Sequence, residues 1–273
     1  MDYTSYLDGD VLGCDSFPIF LFHGVIRKQK WNVRNRNRKH LELDYFTSVI
    51  KSLYNAGNPV SMDEIVWHHN HNEPLPDKSF AVTFDDGYRN NFDYAVDVLE
   101  KFGIPTTFYV ATEFIAQNTS AYIDYVEYAY EVLDKDPEII NRRAMKSPCI
   151  PTTDVLRGEI DGLELTDKMT WEQVVQLSWT SLFTIGAHTH THAILPMLNK
   201  REKEGEIFRP LWMLHQHGIV PKHFSYPEGK EDDFDDETIS LLKSAGVVCC
   251  PTAIHGVNTH ETDLFRLKRI GVK

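Results

Sequence analysis

Apolar residues fall along this chain in two alternating rhythms. Short unbroken runs, such as Pro18-Ile19-Phe20-Leu21-Phe22, Ser79-Phe80-Ala81-Val82-Thr83-Phe84 and Pro105-Thr106-Thr107-Phe108-Tyr109-Val110, read as strands buried on both faces. Between them, apolar positions recur at helical spacing. Leu41, Phe46, Val49, Ile50 and Leu53 predict a helix over 41–56 that stops before Gly57, and a second over about 90–102 is closed by Gly103. Further along, helices are expected over 170–180, about 198–217 and 235–244. Strands are expected at Leu182–Ala187, at His223–Tyr226, near 246–250 and over 265–272. Strand–helix–strand repetition is the mark of a parallel α/β sheet, open or closed into a barrel. In either form the carboxyl ends of the strands gather on one face. Here those ends carry His23, Asp85, Asp86, His188 and Tyr226.

The segment 113–168 breaks the rhythm, with an apparent helix from Tyr122 to Leu133 and a mixed Pro-containing remainder, and reads as an insertion or lid. Length changes little else: 273 residues suit one catalytic domain over 1–273. The four cysteines form no CxxC pair, and vicinal Cys249-Cys250 reads as part of a buried strand. The first ten residues have neither a basic start nor an apolar core, and no run is long enough to span a bilayer, so a cytoplasmic location is expected. A net charge of −12 argues against nucleic acid as a partner. The charge is uneven, however: Arg27, Lys28, Lys30, Arg34, Arg36, Arg38 and Lys39 crowd the stretch after His23, where guanidinium groups would suit an anionic sugar unit. His68, His69 and His71 read as a solvated loop.

Chemistry enters with Thr83-Phe84-Asp85-Asp86-Gly87 and His188-Thr189-His190-Thr191-His192. A His-x-x-x-His pair can place two imidazoles on one helical face, and a carboxylate from another strand completes three ligands with an open position. The pattern is that of a catalytic metal site. Two adjacent aspartates at a strand end cannot point the same way, which suggests one ligand and one base without saying which is which.

Both segments resemble the first two motifs of the polysaccharide deacetylases with a NodB homology domain. The likeness extends to Phe22-His23-Gly24-Val25, the Pro105–Phe108 strand, the turn Phe224-Ser225-Tyr226-Pro227-Glu228-Gly229 and the terminal Phe265–Ile270 segment. The resemblance implies a distorted (β/α) barrel, single-domain with an insertion, that removes an acetyl or other acyl group from an N-acylated amino sugar. It assigns Asp85 as general base and Asp86, His188 and His192 as ligands of a divalent metal, with zinc expected and nickel, cobalt or manganese as alternatives. His190 becomes a support or surface residue. A backbone N–H near Tyr226 would stabilise the oxyanion.

Two departures matter. The third motif lacks its usual arginine and resembles the subgroup with a Tyr-Pro-x-Gly turn, with Glu228 where a tyrosine would stand, at the pocket mouth. Arg269, or else Arg266, would stand in for that arginine. No Leu-x-His follows near the C-terminus, so the usual acid is missing, and His23 is the candidate replacement, with His255 and His260 as competitors. The expected substrate is an N-acylated or nucleotide-linked sugar used in polysaccharide biosynthesis. Two other readings stay open: an amidohydrolase-type site built on His188-x-His190, and a catalytically degenerate barrel that only binds carbohydrate.

Overall fold

The computed structural model describes residues 3–7, 16–27, 38–117 and 167–273. The strands are β1 Ile19–Phe22, β2 Gly24–Ile26, β3 His40–Glu42, β4 Asn58–Pro59, β5 Ser79–Phe84, β6 Thr106–Val110, β7 Phe183–Ala187, β8 Pro251–His255 and β9 Leu267–Gly271. The helices are α1 Leu43–Ala56, α2 Met62–His71, α3 Val96–Phe102, α4 Thr112–Gln117, α5 Trp171–Ser178, α6 Lys200–Gln216 and α7 Asp236–Ser244. The principal sheet runs β7-β6-β5-β1-β9-β8 with every pair parallel, and β4 adds to the start of β5.

Past β7 the ladder thins to single parallel bridges, Ala187 to Phe224 and His223 to Cys249, two residues before β8. The hydrogen-bonded path thereby returns towards β8, and the result is a distorted barrel with one stave reduced to a few residues. The strand expected over His223–Tyr226 is only this pair of bridges. The strand expected near 246–250 begins instead at Pro251; after the turn at Gly246 (φ +83°), Cys249 joins the ladder only through its single bridge to His223.

β1, β5 and β6 are buried along their whole length, as continuous apolar runs require. Strand parity then divides their side chains. Phe22, Phe84 and Phe108 sit in register on three neighbouring strands and stack at 5.2 Å, and Phe46 of α1 packs edge-on against the first two. The opposite face carries Thr83, in hydrogen-bond contact with Arg269 across the interior. Any residue continuing the parity of Thr83 points the same way.

Two local expectations are corrected. His68, His69 and His71 lie on α2, not in a loop: a capping box between Ser61 and Glu64 starts the helix, and Asn72 in the left-handed region ends it. Of the expected insertion, 113–117 belong to α4 and 167–168 are described; the Tyr122–Leu133 helix and the proposed lid lie outside the described residues. No described helix is long and apolar enough to cross a membrane. Cys249 and Cys250 are buried free thiols, as a buried strand end would have them.

His223 ties the thin stave to α2. Burial alone would lower its pKa, but Cys249 Sγ at 3.0 Å and Asp63 Oδ1 at 2.9 Å outweigh that and raise it to about 10. A group whose folded pKa lies above its unfolded value, about 6.5, contributes stability below that value and loses it as pH rises towards 10. Urea denaturation should therefore show stability falling between pH 6.5 and 10, and His223→Gln should flatten that slope; an unchanged slope in the variant would remove His223 from the account.

Candidate active site

The two aspartates leave β5 in different directions. Asp85 keeps the parity of Thr83 and faces the interior, its N–H held by the Phe22 carbonyl at 3.1 Å. Arg269 of β9 meets it with a two-pronged contact, Nη1 to Oδ1 at 2.8 Å and Nη2 to Oδ2 at 2.7 Å, while its Nε donates to the Thr252 carbonyl. Burial pushes the Asp85 pKa up, but Arg269, with His188 adding, overcomes it and holds the carboxyl below its ordinary value. Arg269, expected to stand in for the missing motif arginine, is buried and paired with Asp85. Arg266 is half-exposed and pairs with Asp236.

At Asp86 the chain enters the left-handed region (φ +73°), and Gly87 follows at φ +71°, which swings the second carboxylate away from the first. Its Oδ1 lies 3.4 Å from His188 Nε2 and 3.2 Å from His192 Nε2. Its Oδ2 lies 3.3 Å from Lys39 Nζ. Burial raises its pKa, but Lys39 first and then the two imidazoles bring it well below the usual range.

His188 ends β7, where its N–H bonds the Val110 carbonyl at 3.0 Å. Its Nδ1 donates to the Ser225 carbonyl at 2.9 Å and lies 2.7 Å from Ser225 Oγ, which in turn donates to Asp85 Oδ1 at 3.4 Å. With Nδ1 carrying the proton, Nε2 presents its lone pair towards Asp86. The His-x-x-x-His segment is not helical, contrary to the expectation of one helical face. Thr189 (φ +60°) and His192 (φ +63°) coil it into a tight loop, and buried Glu206 of α6 pins that loop by accepting the N–H groups of His190 and Thr191 at 2.9 and 2.8 Å. His190 is turned away, Nδ1 2.8 Å from Thr112 Oγ1 and Nε2 2.9 Å from Glu113 Oε2. Burial, with Arg209 adding, lowers its pKa to about 4.

Four of the seven described non-glycine residues with positive φ are Asp86, Thr189, His192 and Glu228, so backbone strain of about 1–3 kcal/mol each is concentrated around this one cluster.

Asp86, His188 and His192 form a group that could hold a metal ion: one donor atom from each lies within 4.8 Å of the others. Asp86 Oδ1 is buried and makes no hydrogen bond, a state that costs about 1–3 kcal/mol unless a cation answers it. Oxygen–nitrogen separations of 3.2 and 3.4 Å suit donors that each lie about 2.1 Å from a shared ion. The residues present fit a divalent metal.

The remaining candidates are sorted by position. His23 follows β1, beside Asp85 in the ladder; burial and then Lys39 lower its pKa to about 4, with Asp86 and Asp85 opposing. Tyr226 is buried, its hydroxyl donating to the Phe265 carbonyl at 3.1 Å and its ring stacked on Phe234. Glu228 lies 3.5 Å from Lys230 Nζ, and Lys39 and His192 outweigh burial to lower its pKa. His255 sits against Tyr6, Nε2 to Oη 3.3 Å, and His260 lines a cavity of about 170 Å³ with His68, His69 and Ser79, at the opposite end of β5 from Asp85. Ser225, Glu206 and Glu113 were not legible as site residues. Ser225 lies within the Phe224–Gly229 turn, but Glu206 and Glu113 carry no sequence signal beyond being helical acids.

Of the basic stretch, residues 28–37 lie outside the described residues; Arg27 stacks over Tyr94, and Lys39 alone of its members is seen at the site.

Comparison with known proteins agrees with this geometry. Residues 72–250 match the polysaccharide deacetylase family. No curated protein matches. Among solved structures, the Streptococcus pyogenes deacetylase PplD in complex with acetate is similar, with a TM-score of 0.68 and 15% identity over 95% of this chain and 93% of that one. IcaB from Ammonifex degensii gives 0.68 and 19% over 95% and 92%. A de-N-acetylase from Aggregatibacter actinomycetemcomitans gives 0.64 and 17% over 94% of each chain. At these identities the likeness is one of fold.

Removing Arg269 leaves Asp85 as an uncompensated buried charge. Arg269→Met should cost about 3–5 kcal/mol of unfolding free energy in urea, and adding Asp85→Asn should recover much of it. A loss below about 1 kcal/mol would mean that the pair does not hold the interior together.

Proposed function

This chain belongs to the polysaccharide deacetylase family, and on that premise we propose that it hydrolyses the N-acetyl group of an amino-sugar unit with a divalent metal held by Asp86, His188 and His192. The observation that carries the reading is the buried Asp86 Oδ1, which makes no hydrogen bond and faces the Nε2 atoms of two imidazoles. Zinc is the expected ion. When bound, it would act as a Lewis acid on the amide carbonyl and lower the pKa of the attacking water.

Asp85 is the proposed base. Arg269 keeps it ionised, and Ser225 Oγ fixes one of its oxygens beside His188. As water attacks the amide carbon, its proton passes to Asp85 and the carbonyl oxygen gains charge. The backbone N–H of Tyr226 is the proposed donor to that oxygen, since the side-chain hydroxyl is committed to Phe265. Collapse breaks the carbon–nitrogen bond, and the leaving amine takes up one proton.

His23 is the proposed donor. It rests neutral at pH 7, with its pKa near 4, so it can serve only after Asp85, one of the charges acting on it, hands on the proton taken from water. It then relays that proton to nitrogen, and the count balances. His255 and His260, held against Tyr6 and in the far cavity, are poorly placed for the task. Glu228, between Lys230 and the site, is proposed to face the sugar at the mouth. Lys230, 63% exposed, leaves that mouth able to meet an anionic unit, nucleotide-linked or within a polymer. The amidohydrolase reading needs His190 as a ligand, and its ring is turned towards α4, with Nδ1 in contact with Thr112 and Nε2 beside Glu113 rather than in the Asp86 cluster.

Acetate release should be measured with N-acetylglucosamine oligomers and with nucleotide-linked N-acetyl sugars. Activity should vanish with a chelator and return with Zn²⁺ or Co²⁺, and Asp85→Asn should lower kcat by about 10²–10⁴-fold. His23→Ala should abolish turnover while retaining the metal. Stoichiometric metal with no acetate released from any of these would favour a barrel that only binds carbohydrate.

A further inference from the structure

β2 and β3 form a short parallel pair apart from the barrel, with Gly24 opposite His40 and Gly24 N–H bonded to the Lys39 carbonyl at 3.0 Å. The pairing depends on glycine: a Cβ at position 24 would lie 1.9 Å from the His40 imidazole. The backbone of residue 39 is thereby anchored next to His23, at the carboxyl end of β1. From there the Lys39 side chain, 15% exposed, reaches Asp86 Oδ2 at 3.3 Å. The two oxygens of one carboxylate are divided: Oδ1 faces two imidazole nitrogens and makes no hydrogen bond, while Oδ2 faces an ammonium.

We propose that Lys39 is a positioning residue that occupies Oδ2 and so confines Asp86 to binding the metal through Oδ1 alone. The inference rests on the metal reading above and goes beyond it. An aspartate can bind a divalent ion through one oxygen or through both. Two-oxygen binding would consume a coordination position that the water or the amide carbonyl needs. The ammonium is a like charge to the ion and adds nothing to the ion's affinity. Its effect is on geometry, through a charge-assisted contact in a site largely withdrawn from water. Lys39 is also the foremost cation acting on Glu228.

The test uses the whole chain loaded with Co²⁺, whose visible absorption changes with coordination number. Lys39→Met and Lys39→Gln should keep the melting temperature of the metal-free protein and bind Co²⁺ at least as tightly as wild type. Both should show an altered Co²⁺ spectrum, with kcat for acetate release from an N-acetylglucosamine oligomer lowered about 10–100-fold and KM little changed. Lys39→Arg should keep the wild-type spectrum. An unchanged spectrum or an unchanged kcat in both variants would overturn the proposal. So would weaker Co²⁺ binding or loss of the fold in both, either of which would make Lys39 a structural support. A wild-type chain that binds no Co²⁺ would instead defeat the metal reading itself.

Discussion

Two adjacent, buried carboxylates must be kept apart, and the rest of the site follows from how that is done. Asp85 and Asp86 are both almost fully buried, and like charges on neighbouring residues in such a place could not both ionise without separate partners. The left-handed turn at Asp86 and Gly87 separates them. Asp85 continues the strand and meets Arg269; Asp86 turns out of it and meets Lys39 and two imidazoles. One carboxylate is thereby neutralised within the protein, and the other keeps an oxygen for something else.

Every wall of the barrel contributes to this division. β9 supplies Arg269, β7 supplies His188, and the thin stave at His223–Phe224 brings Ser225 to link His188 with Asp85. β1 supplies His23 and, through the β2–β3 pair, the anchor for Lys39. The loop of His192 is unstable by its own backbone preference, and Glu206 from outside the barrel holds it. Strain is tolerated here because hydrogen bonds from several elements over-determine the conformation.

Much of the fold was legible because buried parallel strands are continuous apolar runs, as Ser79–Phe84 and Thr106–Val110 show. Parity also explains why an Asp-Asp pair suggests two roles. What the sequence could not disclose was which role falls to which residue, since that depends on a positive φ at Asp86 and on Arg269, 184 positions away. His188 and His192 suggested a helical pair, but the loop between them is set by Glu206, a contact with no local signature. The stretch near 246–250 looked like a strand by hydrophobicity, but its partner at His223–Phe224 is too short to give it more than one bridge, and the strand proper starts at Pro251. The family resemblance supplied the assignment of base and ligands; the structure adds that Asp85 pairs with Arg269 while Asp86 faces Lys39, His188 and His192.

The oxygen left over at Asp86 is proposed to belong to a metal. Anomalous diffraction from crystals of the whole chain grown with Zn²⁺ tests it most directly. One strong peak per chain is expected, bounded by Asp86 Oδ1, His188 Nε2 and His192 Nε2, with Asp85 still paired to Arg269. A chain with that position empty, or with its ion seated on His190 and Glu113, would contradict it.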